Sequence, residues 1–130
     1  MQEEVLRKFF EGQVSAAELA SNVAGSTKHY AGGIASRTAI EDMDAEHQVT
    51  RQNLISLCDA VLEGALPAQA LGDIGFALVS SDHFVWNAEE DELLGDVIYD
   101  WSCPQVNYPL TTENVLKFRS CLLSELTYPF

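Results

Sequence analysis

Apolar residues recur at helical spacing along most of this chain. Near the start, Val5, Leu6, Phe9 and Phe10 stand at i, i+1, i+4 and i+5, one face of a helix over residues 2–11. Gly12 ends that helix, as glycine does at a C-terminal cap. Ser15 opens the next one: with Glu18 three places on it makes a capping box, the hydroxyl taking the N3 amide and the carboxylate reaching back. Val14, ahead of the cap, is placed to staple onto Leu19. The same grammar returns 52 residues later, where Leu62, Glu63, Gly64, Leu66, Pro67 and Leu71 take the places of Phe10, Glu11, Gly12, Val14, Ser15 and Leu19. Proline at 67 suits a first helical turn. The chain therefore reads as two helix–Gly–helix hairpins, a likeness that duplication and convergence explain equally well; two copies do not make a solenoid.

A third helix is expected over residues 50–63, where Leu54, Leu57, Cys58, Val61 and Leu62 give the strongest amphipathic stripe. The fourth, over 67–80, carries Leu71, Ile74, Phe76, Ala77, Leu78 and Val79. It is apolar nearly all round, which places it at the centre of a bundle. Gly72 and Gly75 within it permit close helix packing. A fifth helix over 89–101 opens on Glu89, Glu90, Asp91 and Glu92, acids that favour the positive helix end. Its core stripe is Leu93, Leu94, Val97, Ile98 and Trp101. A link with two prolines follows over 102–109. Thr111 or Thr112 then caps a sixth helix over 113–126, with Val115, Phe118, Leu122, Leu123 and Leu126 facing in.

Residues 25–49 lack such periodicity. Gly25, Gly32 and Gly33 are loop signals, and residues 34–40 have the makings of a short strand without an evident partner. A loop of this length is uncommon in a compact domain and is often functional; it holds Lys28, His29, Arg37 and His47. The expected fold is all-α: a compact bundle of five to seven helices in a single domain, 1–130, with one long irregular loop near residues 25–49. With 130 residues, 47% of them hydrophobic, the chain can bury a core without staples. Leu57, Val61, Ile74, Leu78, Val97, Trp101, Phe118 and Leu122 are expected to form it.

Charge changes the picture. The formal net charge is −13, and between Arg51 and Lys117 there is no lysine or arginine in 65 positions. Those positions hold eleven acids, seven of them between Asp82 and Asp100. A negative field of this kind attracts a cationic partner and repels nucleic acid and anionic lipid. A solvated, solubilising face is the plainer reading of the same charges. Phe84, Trp86, Trp101 and Tyr108 surround the acidic segment, and aromatics beside charges are what binding hot spots are made of. Trp101 belongs to the core by its helical phase. The expected partner-binding residues are Asp82, Trp86, Glu89, Glu90, Asp91, Glu92, Asp96 and Asp100, with Asp96 and Asp100 one turn apart on a solvated helix face.

Other chemistry is sparse. Cys58, Cys103 and Cys121 are odd in number and have no knuckle or redox spacing. Cys58 and Cys121 sit at core positions, as free thiols in a reducing cytosol. Cys103 has Asp100 nearby and no cation to activate it. His47 lies in an acidic stretch with Asp42, Asp44 and Glu46, without a second ligand at metal spacing. No nucleophile elbow or phosphate loop occurs, so neither catalysis nor a cofactor is expected. The N-terminus lacks the basic start and apolar run of a signal peptide, and no segment is long enough to span a bilayer; a cytoplasmic protein is expected.

Residues 50–126 carry a resemblance. With Leu57-Cys58-Asp59 and Gly64, Ile74-Gly75-Phe76-Ala77-Leu78, Ser81-Asp82, Trp86, Asp100-Trp101-Ser102 and Asn107-Tyr108-Pro109-Leu110-Thr111, the chain resembles small acidic helical bacterial immunity proteins of the bacteriocin and contact-dependent toxin class. No catalytic signature or site residue comes with that resemblance. It implies a cytoplasmic inhibitor that masks a cationic, nuclease-like toxin. The alternatives are a nucleic-acid mimic that blocks another machine, a small hydrolase or transferase using Asp82 and His83 or the Asp96–Asp100 pair, and a housekeeping protein with an acidic surface.

Overall fold

A computed structural model of the chain describes residues 1–24, 27–29, 36–38, 43–106 and 108–130. It is mostly helical: α1 (Glu3–Phe10), α2 (Ala16–Ala24), α3 (Arg51–Leu62), α4 (Ala70–Ser80), α5 (Glu92–Ser102) and α6 (Thr112–Leu122) form an all-α bundle. Four short strands accompany them among the described residues. β1 (Thr27–His29) and β2 (Ser36–Thr38) pair antiparallel, with Lys28 opposite Arg37. β3 (His47–Gln48) and β4 (Phe84–Val85) form a two-residue parallel bridge. Residues 25–49 are thus not one bare loop. The signals at Gly25, Gly32 and Gly33 and the ends of the segment 34–40 lie outside the described residues. Among the described residues, no helix is long and apolar enough to cross a membrane.

The helix ends show why the sequence breaks where it does. After α1, Gly12 takes φ +77°; its amide bonds Phe9 O at 3.0 Å, and the Gln13 amide bonds Lys8 O at 2.7 Å. After α3, Gly64 takes φ +82°, and the Gly64 and Ala65 amides bond Val61 O and Ala60 O at 3.0 Å each. Both corners are the same paired 5→2 and 6→1 closure, which needs a left-handed residue and therefore favours glycine. A third copy closes α6. Ser124 adopts φ 63°, with its amide on Cys121 O at 3.0 Å and the Glu125 amide on Ser120 O at 2.8 Å. A serine in that position gives no signal in the sequence. The expected helix over 113–126 therefore stops at Leu122, and Leu123 and Leu126 are exposed rather than buried.

The starts are set by side-chain caps. Ser15 Oγ accepts the Glu18 amide at 3.1 Å. Thr50 and Asn53 make a reciprocal capping box on α3, and Thr111 Oγ1 accepts the Asn114 amide at 3.2 Å on α6. The segment from Pro67 forms successive i→i+3 turns before α4 proper begins at Ala70, so the expected start is three residues early. α4 packs against α2 and α5, and α3 packs against α6. Only part of α4 is interior. Leu71, Ile74, Ala77 and Leu78 are fully buried, whereas Phe76 and Val79 face solvent, so this helix is not buried all round.

The eight expected core residues are all buried in one cluster. Gly75 sets how closely α4 and α5 approach: a Cβ there would stand 2.8 Å from Ser102 N and 2.9 Å from Trp101 Cβ. The C-terminal residues add an aromatic layer that the helical pattern did not anticipate. Phe130 stacks on Tyr108 at 4.2 Å and meets Phe118 at 5.1 Å, and the Tyr108 hydroxyl donates to Phe130 O at 2.9 Å. Tyr128 lies 6.4 Å from both Tyr108 and Phe130. Cys58 and Cys121 are buried free thiols, and burial pushes the Cys58 thiol up to about 12, which makes it inert.

Candidate functional site

The acidic segment runs from the turn before β4 to the end of α5, and its carboxylates separate into three kinds. The first kind is exposed. Asp82 precedes β4; Glu89 and Glu90 lie in a turn; Glu92 and Asp96 lie on α5. Among the described residues, none of these five forms an ion pair. Glu89 and Glu90 are outside the helix, contrary to the expected start at 89. Asn87 Oδ1 accepts both of their amides, at 3.0 and 3.3 Å, and bends the chain away from the helix axis. Asp91 is the N-cap, accepting the Leu94 amide through Oδ1 at 3.4 Å. Only Glu92 is left as an acid in the first turn.

Asp91 is the second kind. Arg51 Nε reaches its Oδ2 at 2.7 Å and Arg51 Nη2 its Oδ1 at 2.8 Å, a two-pronged ion pair across 40 residues of sequence. That bond holds the Asp91 carboxyl below its usual range and raises Arg51. Asp91 holds the start of α5 to the start of α3. One expectation is corrected here: the acidic stretch is not without a nearby cation, because Arg51, 40 residues before Asp91, folds onto it. Arg119 does the same for Asp59, tying α6 to α3.

Asp100 is the third kind. It is only 6% exposed, so the expected solvated face of Asp96 and Asp100 is half wrong. The i, i+4 spacing places both on the same side of α5, yet Asp96 is exposed and Asp100 is buried. Between them lies Tyr99, 61% exposed. Asp96, Tyr99 and Asp100 line a cleft of about 550 Å³ with Tyr108, Tyr128 and Pro129.

Trp86 is half-buried against the core. Its indole lies over Gly95 of α5, where a Cβ would be 3.1 Å from Nε1. It borders a shallow depression with Gln48, Val85, Asn87, Ala88 and Glu89. An aromatic ring is thus seated beside exposed Glu89, and the missing side chain at Gly95 leaves room for its indole edge.

Asp82 and His83, weighed above for acid–base chemistry, turn different ways. Asp82 is exposed, while His83 Nδ1 stands 3.4 Å from Oε1 of Glu3, which also accepts the Met43 amide at 3.1 Å. Glu3 is 1% exposed and pins α1 to the rest of the molecule, a role its place in an exposed-looking first turn gave no sign of. His47 stacks on Phe10 at 5.4 Å and shares a 3.0 Å contact with Asn53 Oδ1. Cys103 is half-buried beside Ser102 Oγ at 3.6 Å.

Comparison of the chain with protein-family models, with curated proteins and with solved structures finds no match.

Proposed function

We propose that this chain is an acidic binding protein for a cationic protein, an immunity-type inhibitor that covers the basic active surface of a nuclease-like toxin. The observation that carries this reading is the set Asp82, Glu89, Glu90, Glu92 and Asp96, the acidic edge: five exposed carboxylates, unpaired among the described residues, with Glu89 bordering the same depression as half-buried Trp86. A nuclease surface attracts phosphate with lysine and arginine. A carboxylate-rich surface competes for that surface and speeds encounter by steering. Asp91 is paired with Arg51 and Asp100 is buried, so neither belongs to this exposed set. The free thiols suit action in a reducing cytoplasm.

The test replaces Glu89, Glu90 and Glu92 together by glutamine and measures association with the partner recovered at low salt. Association should slow several-fold and its salt dependence should flatten, because exposed charges act through a screening length of about 8 Å at physiological ionic strength. Trp86→Ala should instead speed dissociation. An unchanged association rate in the triple variant at low salt reduces the edge to a solvated surface.

A further inference from the structure

The acidic segment is concave at the C-terminal end of α5. There, Asp96 and Asp100 stand one turn apart in a cleft whose other walls are Tyr99, Tyr108, Tyr128 and Pro129. We propose that this cleft receives an arginine side chain from the protein partner. The inference rests on the reading of the chain as a binder of a cationic protein, and it names the group that anchors that protein.

Two features point to guanidinium. The first is the pair of carboxylates, one exposed and one buried, on one side of a single helix. A planar fork of N–H donors can meet such carboxylates, and it loses less entropy per bond than a flexible ammonium. The second is the wall. Tyr108 is fixed by its hydroxyl bond to Phe130 O and by the Phe130 ring 4.2 Å away, so part of the aromatic surface is in place before anything binds. Guanidinium stacks on such faces. Tyr99, largely in water, is placed to fold over a side chain that enters.

Arginine in a blocked peptide, acetyl-Gly-Gly-Arg-Gly-Gly-amide, is the probe, titrated into the isotope-labelled full chain and followed by amide and tyrosine-ring shifts. Lysine and citrulline peptides of the same frame are the controls. The arginine peptide should give saturable shifts at Asp96, Tyr99, Asp100, Tyr108 and Tyr128. The lysine peptide should bind several-fold more weakly and the citrulline peptide should produce no saturable shifts. Asp96→Asn and Tyr99→Ala alter exposed side chains, so the rest of the spectrum should stay in place while arginine binding weakens several-fold. Equal binding of lysine, saturable binding of citrulline, or shifts confined to residues 89–92 would overturn the assignment. Free arginine binding more tightly than the blocked peptide would give the cleft to a small guanidino compound and also overturn it. Because the probe is a peptide and the edge is tested through Glu89, Glu90 and Glu92, either reading can fail while the other stands.

Discussion

At the N-terminal end of α5 the acids stand in water: Glu89, Glu90 and Glu92 are exposed, and Asp91 is held by a single arginine at the surface. At its C-terminal end Trp101 is 0% exposed, Asp100 is buried, and Gly75 brings α4 into backbone contact. One helix thus joins an electrostatic end to a packed end. The difference teaches that neighbouring acids of identical type do unlike work. Adding a charge costs little where water solvates it, whereas a methyl group at the packed end has no space to enter. Stability should therefore reside at one end and long-range attraction at the other.

The strongest way to break this contrast is Leu78→Ala on α4, fully buried against the core, which should cost about 2–5 kcal/mol in urea melts. A loss well under 1 kcal/mol would show that the packed end does not hold the fold. Gly75→Ala should cost about 1–3 kcal/mol, because the new Cβ meets backbone atoms of Trp101 and Ser102 that no side-chain rotation can move aside.

At the open end Asp91→Ala removes a cap and an ion pair together and should cost about 1–2 kcal/mol. Asp91→Asn keeps a capping oxygen and should cost about 0.2–1 kcal/mol, which isolates the partly exposed pair with Arg51. Its pH dependence has a definite sign. The folded Asp91 carboxyl titrates below its unfolded value, so its contribution is complete above the unfolded pKa, about 3.9, and is lost as pH falls through the lower, folded pKa. The gap between wild type and Asp91→Asn should hold constant above about pH 5 and close in acid.

Ser124→Gly should raise stability by about 0.5–1 kcal/mol by relieving a left-handed serine, net of the freedom glycine gains when unfolded. The Ser124 hydroxyl lies 3.4 Å from Arg51 Nη1. Absence of any gain would show that this hydroxyl helps hold Arg51 on Asp91. Smallest of all, the triple glutamine variant at Glu89, Glu90 and Glu92 should stay within about 0.5 kcal/mol of wild type, as exposed substitutions do. A larger loss would place structural work at the open end.

Helical periodicity identified all six helices, the shared cluster of Leu57 to Leu122, and the caps at Ser15 and Thr111, because each depends on residues within two turns of one another. Other failures come from contacts distant in sequence. Asp91 and Glu92 are adjacent acids, and only the approach of Arg51 from 40 residues away separates them. Asp100 lies in phase with exposed Asp96 yet is buried, and the cleft they line is shared with Tyr128, 28 residues further on. Phe76 and Val79 read as core because pattern alone does not reveal which side of an apolar helix lacks a neighbour. The acidic segment was visible as a run of charge, but the sorting of its members into exposed, paired and buried is a product of tertiary structure.

The two tryptophans make the molecule its own optical instrument. Trp101, wholly enclosed, should emit in the blue and stay out of reach of dissolved quenchers, while Trp86, half-buried over Gly95, should emit further to the red. The carboxylates beside Trp86 should draw caesium toward it and hold iodide away, so the ratio of the two quenching constants reads the local field directly. A protein settling on the acidic edge should change the light of one indole and leave the other constant, whereas loss of the fold changes both. Occupancy and integrity can thus be followed in one unlabelled sample at two wavelengths.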